Sequence, residues 1–255
     1  MKTLFDMVKV SVASVVRDVS MYERCVLHNK HLAGCDLAML DNRVDNQTVT
    51  KRYNDFLDSV TDDRWIVFCH EDWEIKEDLI SVLERLDKNR LYGPIGVFIE
   101  EKKNVDVLVM KGWVEQSPKD GGKTIVIRGK DAEGRVDTFD CQCLIMHSSL
   151  VEAHSLRFDE NLRFDMYVED FCVGAYEKSG IESHAVRISC HHHSEGKLSQ
   201  SFADSVEYVR QKYAKSKKRY ATIVGRLNTF GGDPSRKVFK WKRIPWIMLR
   251  YKLAK

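Results

Sequence analysis

The sequence has no apolar run of 18 or more residues, so it predicts no transmembrane helix. Its start, MKTLFDMVKVSVASVV, has an acid at Asp6 and no small-residue cleavage site, and we interpret it as a first strand rather than a signal peptide. Internal repeats and low-complexity segments are also missing. The 255 residues predict one sizeable α/β domain, or one domain with a tail.

The cysteines show no pairing pattern. There are seven, an odd number, and they are scattered without a CxxC motif. This favours free thiols in a reducing compartment, and hence a cytoplasmic location. A Cys/His zinc protein is the weakest of the functions considered, because the cysteines do not supply ligands at the required spacing.

The positive charge is concentrated at one end of the chain. Residues 208–255 carry 15 Lys and Arg but a single acid, whereas residues 1–207 have a net charge of −11. We therefore divide the chain into a domain over 1–202 and a basic helical extension over 203–255. Basic and aromatic residues alternate in 237–255, which predicts a peripheral anchor on an anionic membrane surface. The alternative is packing on the protein's own body or on a partner chain; no nucleic-acid motif is present.

Alternating apolar patterns predict the architecture. Strands are predicted over 9–16, 36–40, 65–69 and 95–99, with helices over 20–33, 48–60 and 76–89 between them. This alternation predicts a mostly parallel, doubly wound sheet flanked by helices. Further along, we predict hairpins over 105–130, strands over 139–146 and 185–190, and helices over 168–180 and 203–228, with Gly180 as a C-cap.

Polar residues stand at the carboxyl ends of three predicted strands, where open α/β sheets bind ligands. The first ends in Arg17, the second in Asp41 and Asn42, and the third, WIVFC, in His70-Glu71-Asp72. In an extended segment His70 and Asp72 point to the same side, which suits a divalent cation such as Mn²⁺ beside a phosphate. The alternative is a solvated turn in which Asp72 caps the next helix.

Two later groups are further candidates. Glu169 and Asp170 open a predicted helix, where acids are favoured by the helix dipole or act as a general base facing a cleft. The run His191-His192-His193 follows a predicted strand. Three adjacent histidines cannot all face one metal, so His192 or His193 alone is expected to contribute a ligand.

In order and spacing, these motifs resemble the GT-A fold of inverting nucleotide-sugar glycosyltransferases, over roughly residues 8–200. The narrower resemblance is to the family-2-like, streptomycin-biosynthesis type. Two departures are His70, where most GT-A enzymes have aspartate, and Asp165, where the narrower group often has histidine. The motifs are Asp41-Asn42, Tyr53-Asn54, FCHED at 68–72, DTFD at 137–140, Phe158-Asp159-Glu160, YVED at 167–170, and HHSEG at 192–196.

The resemblance implies a role for each matching residue. The donor nucleotide sugar would contact Arg17, Asp41, Asn42, Asn54, His70 and Glu71. Mn²⁺ or Mg²⁺ would be held by Asp72, His70 and His192. Asp170 would deprotonate the acceptor, with Glu169 as the rival base. Asp140 and Tyr167 would line the acceptor site.

The implied function is inverting transfer of a hexose or related sugar to a hydroxyl of a glycan or lipid-linked saccharide, as in polysaccharide biosynthesis. The protein would be cytoplasmic, either free or peripheral on the inner face of the membrane. One alternative is a non-catalytic GT-A-like protein that binds nucleotide or carbohydrate. Another is a nucleotidyltransferase, although SVASVVRD lacks the glycine-rich phosphate loop expected after its first strand.

Overall fold

A computed structural model describes residues 8–102, 105–194, 199–223, 225–227 and 237–238, with the backbone alone for 102, 105 and 237–238. The proposed anchor beyond residue 238, the end of the HHSEG motif and the Gly-Gly-Asp-Pro break at 231–234 lie outside these ranges. Within them, no helix is long and apolar enough to cross a bilayer.

The strands are β1 Val10–Val16, β2 Asp36–Asp41, β3 Trp65–Cys69, β4 Trp73–Ile75, β5 Leu91–Gly93, β6 Ile95–Lys102, β7 Val105–Gln116, β8 Ile125–Arg128, β9 Gly134–Val136, β10 Thr138–Phe139, β11 Cys143–His147, β12 Ser183–Ala185, β13 Cys190–His192, β14 Ala221–Thr222, β15 Gly225–Arg226 and β16 Lys237–Val238. The α-helices are α1 Val19–Tyr22, α2 Val49–Ser59, α3 Leu79–Leu83, α4 Ser148–His154, α5 Tyr167–Ser179 and α6 Gln200–Lys212. A π-helical turn, Glu23–Leu27, continues α1.

Short polar side chains begin most of these helices. Each accepts a hydrogen bond from a backbone N–H of the first turn, which satisfies a donor that the helix itself leaves free. The capping residues are Asp18 for α1, Thr48 for α2, Asp78 for α3 and Ser199 for α6. Gly180 ends α5 in the left-handed conformation, as predicted.

One sheet has the order β2-β1-β3-β11-β5-β12-β9. The predicted parallel start is confirmed, since β1 pairs in parallel with both β2 and β3. β11 then runs antiparallel to β3, which makes the whole sheet mixed. Every residue of WIVFC is buried, because layers of apolar side chains cover both faces of this sheet.

A second sheet has the order β10-β6-β7-β13-β4. The prediction that 95–99 is a fourth strand of the parallel sheet is wrong, because β6 pairs antiparallel with β7 along its whole length. Gly112 in β7 has a φ of +84°, and a Cβ there would collide with the carbonyl of Pro94. Gly112 therefore allows the backbone of Pro94 to approach β7 closely where the β6–β7 pairing begins.

Several predicted boundaries are wrong. The helix over 76–89 is confined to α3, and the strand over 139–146 is interrupted between β10 and β11. The strand over 185–190 is two strands in different sheets, β12 and β13. The helix over 203–228 ends at Lys212, and β14 pairs with β15 beyond it.

Candidate functional site

The turn His70-Glu71-Asp72 connects β3 of the first sheet to β4 of the second. The N–H of Trp73 donates to the carbonyl of His70 at 3.1 Å, which closes the turn. The next element is a strand, so the alternative in which Asp72 caps a helix is wrong. The turn therefore lies where the two sheets meet, at the carboxyl end of the buried central strand.

A cluster of three metal-ligating side chains, His70, Asp72 and His192, forms at this turn. β13 runs antiparallel to β4 and brings His192 next to Asp72. Oδ1 of Asp72 lies 3.3 Å from Nε2 of His192 and 3.9 Å from Nδ1 of His70. Among the described residues, that oxygen and both ring nitrogens of His192 are buried without a hydrogen-bond partner. Buried polar atoms normally have partners, so these orphaned atoms fit a divalent cation between them.

Tyr167 fixes the orientation of His70. Its hydroxyl donates to the carbonyl of Cys141 at 2.8 Å and lies 3.2 Å from Nε2 of His70. Because its one hydrogen goes to Cys141, the hydroxyl oxygen accepts from Nε2–H, which leaves the Nδ1 lone pair facing Asp72. Burial lowers the pKa of His70 to about 4, so the imidazole is neutral and able to ligate a metal.

Lys119 reaches the same carboxylate from the loop after β7. Its Nζ lies 3.5 Å from Oδ2 of Asp72 and 3.6 Å from Oε1 of Glu71. Burial opposes ionisation of Asp72, but His192, His70 and Lys119 together hold the pKa of Asp72 below its usual range. Nothing in SPKDGG at 117–122 signalled this residue, because the contact joins positions 47 apart in the sequence.

Glu71 ties the end of β1 to the turn. Its Oε2 accepts from the backbone N–H groups of Arg17 and Asp18, at 2.6 and 3.0 Å. The Arg17 guanidinium bonds to the side chain of Asn46. A cleft of about 390 Å³, lined by Arg17, Asn42, Arg43 and Asn46, opens beside these groups.

The predicted nucleotide residues at the end of β2 make contacts of their own. Asp41 is exposed and accepts from Arg43 through both carboxylate oxygens, at 2.9 and 2.6 Å. Asn42 is buried and closes its loop by exchanging two hydrogen bonds with the backbone of Gln47, at 2.8 and 2.9 Å. The Asn42 amide thus shapes the cleft, while Asp41 keeps an exposed carboxylate at a neighbouring opening.

Asn54, another predicted donor residue, is buried in α2. It exchanges hydrogen bonds with the backbone of Phe158 at 2.9 and 3.0 Å and donates to Glu160 at 3.0 Å. These bonds join α2 to the Phe158-Asp159-Glu160 motif. The structure brings the two motifs together, but not with the His70 cluster.

Glu169 and Asp170 have different surroundings, although both are buried. Oε2 of Glu169 accepts from the Cys141 thiol at 3.1 Å. Burial raises the pKa of Glu169 to about 8, and the charge of Asp140 adds to this effect. Cys141 also accepts from Tyr167, so Glu169 is linked through these two residues to His70.

Asp170 belongs to an ion-pair group instead. The Lys212 ammonium lies 2.8 Å from Asp170 and 2.6 Å from Asp159. Burial raises the pKa of Asp170, and Lys212 opposes this rise. The group fastens the end of α6 to the start of α5.

Two side chains border the cluster on its open side. Asp140, half-buried, accepts from Gln142 at 2.7 Å, and its charge acts on His70. Phe164 is 53% exposed and stacks on His70 with ring centroids 5.4 Å apart. Phe164 stands among polar residues in the sequence, which was the one available signal for it. Its contact with His70 joins positions 94 apart, so the sequence did not reveal the partner.

The three consecutive histidines take separate partners. His192 faces Asp72, whereas His191 and His193 point to the other side of the strand and stack at 4.0 Å. His191 bonds to Ser117 at 2.8 Å, and His193 bonds to Glu74 at 2.8 Å. The prediction that one of them contributes to the cluster agrees with the position of His192.

No protein-family model and no curated protein sequence matches this chain. Solved structures do match in shape. One is GalNAc-T7 crystallised with UDP, GalNAc and Mn²⁺, with a TM-score of 0.52, 9% identity, and coverage of 83% of this chain and 49% of that one. Another is Staphylococcus aureus TarS 1–349, with a TM-score of 0.50, 10% identity, and coverage of 81% and 66%.

This chain has the GT-A fold. It spans about half to two-thirds of the two matching chains. At 9–10% identity the likeness concerns the fold alone, and the narrower streptomycin-biosynthesis type stays a prediction. A fold of this kind hosts many activities, and the residues of the site determine which one a protein has.

Proposed function

We propose that this protein is a metal-assisted, inverting glycosyltransferase that uses a nucleotide-sugar donor. The observation that carries the proposal is the orphaned Oδ1 of Asp72, which lies between two imidazoles at the end of the central strand of a GT-A fold. A divalent cation held there, with the Lys119 ammonium beside it, would suit the diphosphate of a nucleotide sugar. The matching GalNAc-T7 structure contains UDP and Mn²⁺, which supports this assignment.

The ligand types favour Mn²⁺ over Mg²⁺. Two imidazoles and one carboxylate suit a transition metal, whereas Mg²⁺ prefers oxygen ligands and keeps several waters. When bound by His70, Asp72 and His192, the cation would act as a Lewis acid that offsets negative charge on the departing diphosphate. Tyr167 would keep His70 in the tautomer that offers Nδ1 to it.

Lys119 supplies a further positive charge for the donor. In the structure its ammonium lies beside Oδ2 of Asp72, the oxygen that faces away from the two histidines. A diphosphate bound here would meet a cation on one side of Asp72 and an ammonium on the other. We place the nucleoside in the adjoining cleft, lined by Arg17 and Asn42, next to the opening that Asp41 lines.

Between the two rival bases, the contacts favour Glu169. It is connected to His70 through Cys141 and Tyr167, and it has Asp140 as a charged neighbour. A base with a pKa near the working pH also transfers protons efficiently. Asp170, in contrast, is paired with Lys212. Glu169 would take the acceptor proton, which leaves the acceptor oxygen free to attack the anomeric carbon from the side opposite the diphosphate.

Asp140 and Tyr167 are the two residues considered for the acceptor side. Asp140 is half-buried beside the cluster, and Tyr167 contacts His70 rather than an open cavity. We propose a hydroxyl of a glycan or lipid-linked saccharide as the acceptor. Residues 237–255 would bring the protein to an anionic membrane surface on the cytoplasmic side.

Donor turnover tests the proposal. The full chain would be incubated with UDP-, GDP- and TDP-sugars, with and without Mn²⁺, and release of nucleoside diphosphate to water or a saccharide acceptor would be measured. We expect release from one donor class that requires metal and yields a sugar of inverted anomeric configuration by NMR. Nucleotide binding without release from any donor would instead support the non-catalytic alternative, and release of pyrophosphate from a nucleoside triphosphate would support a nucleotidyltransferase.

Variants separate the two bases. Glu169→Gln should lower the rate of turnover about 10²–10⁴-fold with little change in donor binding, since a positioned base contributes about that much. Asp170→Asn should lower it less. The reverse order would restore Asp170 as the base.

A further inference from the structure

The third histidine of the run, His193, has no part in the proposed transfer reaction. Its ring lies on the opposite face of the strand from His192, and its backbone N–H donates to the carbonyl of Asp72 at 2.9 Å. Nε2 of His193 is 2.8 Å from Oε2 of Glu74 in β4. Stacking against His191 holds the ring in this orientation.

The thiol of Cys25 lies next to the side chains of Glu74 and His193. Cys25, in the π-helical turn, is buried, and its Sγ, a carboxylate oxygen of Glu74 and a ring nitrogen of His193 all lie within 4.8 Å of one another. In a tetrahedral zinc site, ligand atoms are about 3.5 Å apart, given bonds of about 2.0–2.3 Å. Small side-chain rotations would therefore bring the three atoms into ligating positions.

The π-helical turn is a second, independent observation. The N–H of His28 donates to the carbonyl of Glu23 at 3.0 Å, five residues earlier, so the turn is wider than an α-helical one. Such turns are rare and occur frequently at functional sites. Here it places Cys25 against β4, on the side away from the His70 cluster.

We propose that Cys25, Glu74 and His193 form a second cation site, which takes Zn²⁺ or a similar borderline-soft divalent ion. Thiolate, imidazole and carboxylate are the ligand types of zinc sites, and a thiolate is not a ligand for Mg²⁺. Three protein ligands leave a fourth position for water, as in zinc sites that keep an open position. Glu74 has 33% of its side chain exposed, which gives an ion access from solvent.

The site would act on the fold next to the donor site. It would fasten the π-helical turn to β4, which directly follows Asp72, and to the end of β13, which carries His192. A bound cation also stabilises the thiolate of Cys25, whose pKa burial otherwise raises. Zinc binding should therefore release protons and raise the melting temperature.

Cobalt absorption tests the proposal on the full chain after removal of metal. Titration with Co²⁺ should produce a near-ultraviolet thiolate-to-cobalt band that corresponds to one thiolate-bound ion per chain, and Zn²⁺ should abolish the band by competition. Cys25→Ser should remove the band, and Cys35→Ser, a matched loss of another thiol, should keep it. Asp72→Ala should also keep it, because Asp72 is not one of the three proposed ligands.

Variants of the two partly exposed ligands provide a second test, which stays valid even where Cys25→Ser misfolds. Glu74→Gln and His193→Asn should each weaken Co²⁺ binding by more than about 100-fold, the upper end of what the loss of an outer-shell contact costs. Absence of the thiolate band in the wild type, or its persistence in Cys25→Ser, would overturn the proposal.

Discussion

At the scale of single residues, burial decides which groups carry charge. Glu169 lies in an apolar environment at the start of α5, and the pKa of its carboxyl is raised to about 8. In the unfolded chain the same group has its ordinary pKa near 4.5. Between pH 4.5 and about pH 8, Glu169 of the folded protein retains a proton that the unfolded chain has lost. Folding therefore becomes less favourable as pH rises through this range.

Glu169→Gln should therefore become more stable than the wild type as pH increases. One retained proton changes the free energy of unfolding by about 1.4 kcal/mol per pH unit within this window. Urea unfolding at pH 5 and pH 7 should show the difference between variant and wild type growing with pH. The exposed Glu152→Gln, on α4, serves as the control and should show no such growth; a constant difference for Glu169→Gln would contradict the raised pKa.

Tyr167 offers a test of how His70 is prepared for a metal. Tyr167→Phe removes the hydroxyl that accepts from His70 Nε2–H, and loss of such an outer-shell partner weakens metal binding about 10–100-fold. Calorimetric titration with Mn²⁺ measures this directly. Tyr92→Phe removes a hydroxyl that bonds to Asp87 at a distant point, and should leave Mn²⁺ affinity unchanged. Equal affinities for Tyr167→Phe and the wild type would exclude this role.

At the scale of elements, hydrogen bonds between motifs assemble the site. Asn54 of α2 holds the Phe158-Asp159-Glu160 loop, and Lys212 of α6 pairs with both Asp159 and Asp170. These contacts position α5, the helix that carries Tyr167 and Glu169. A residue within such a motif can therefore matter for the site without touching a ligand.

Asn54→Ala distinguishes a structural role for Asn54 from the predicted donor-binding role. If it is structural, the variant should lose about 1–3 kcal/mol of stability, because buried backbone groups of Phe158 lose their partners. Nucleotide affinity measured below the melting temperature should change little. Asp55→Ala, on the same helix, removes an exposed pair with Lys51 and should cost under about 0.5 kcal/mol. A large loss of nucleotide affinity with unchanged stability would restore the donor-binding role.

At the scale of the whole molecule, charge separates an acidic body from a basic end. Residues 208–255 carry 15 of the 41 Lys and Arg residues, and 237–255 alternates them with aromatics. Deletion of 239–255 should abolish sedimentation with vesicles that contain anionic lipid while leaving the melting temperature of the body unchanged. Binding should also weaken as salt rises, since it is electrostatic. Equal sedimentation of both forms would exclude the anchor.

The sequence predicts local features well and pairing poorly. β1, β2 and β3 were predicted because each is a short apolar run between turn signals, and Gly180 because a helix end needs a left-handed residue. The sheet of β6 was predicted wrongly, since its antiparallel pairing with β7 joins residues up to 17 positions apart and leaves no local pattern within β6. The predicted helix over 203–228 failed beyond Lys212, where Lys218 pairs with Asp137 and Ala221–Thr222 pairs with β15, contacts that no local pattern reveals.

The residues of the site also divide into those that a local pattern predicted and those that depend on contacts between distant parts of the chain. His70 and Asp72 were recognisable because they end a buried strand two positions apart. Lys119, Cys141 and Phe164 were not, because their contacts with the cluster join distant parts of the chain. The separate roles of His191, His192 and His193 likewise depend on the pairing of β13 with β4 and β7, which no local pattern reveals.

Thermal stability against nucleoside diphosphates, with and without Mn²⁺, tests the central claim most directly. A ligand at 100 times its Kd adds about 2.7 kcal/mol, or roughly 5–10 °C in melting temperature for a chain of this size. We predict such a shift with one nucleotide, only when Mn²⁺ is present, in the wild type and in His191→Ala. The shift should vanish in His192→Ala and Asp72→Ala. No shift with any nucleotide, or an equal shift in Asp72→Ala, would contradict a metal–diphosphate site at His70, Asp72 and His192.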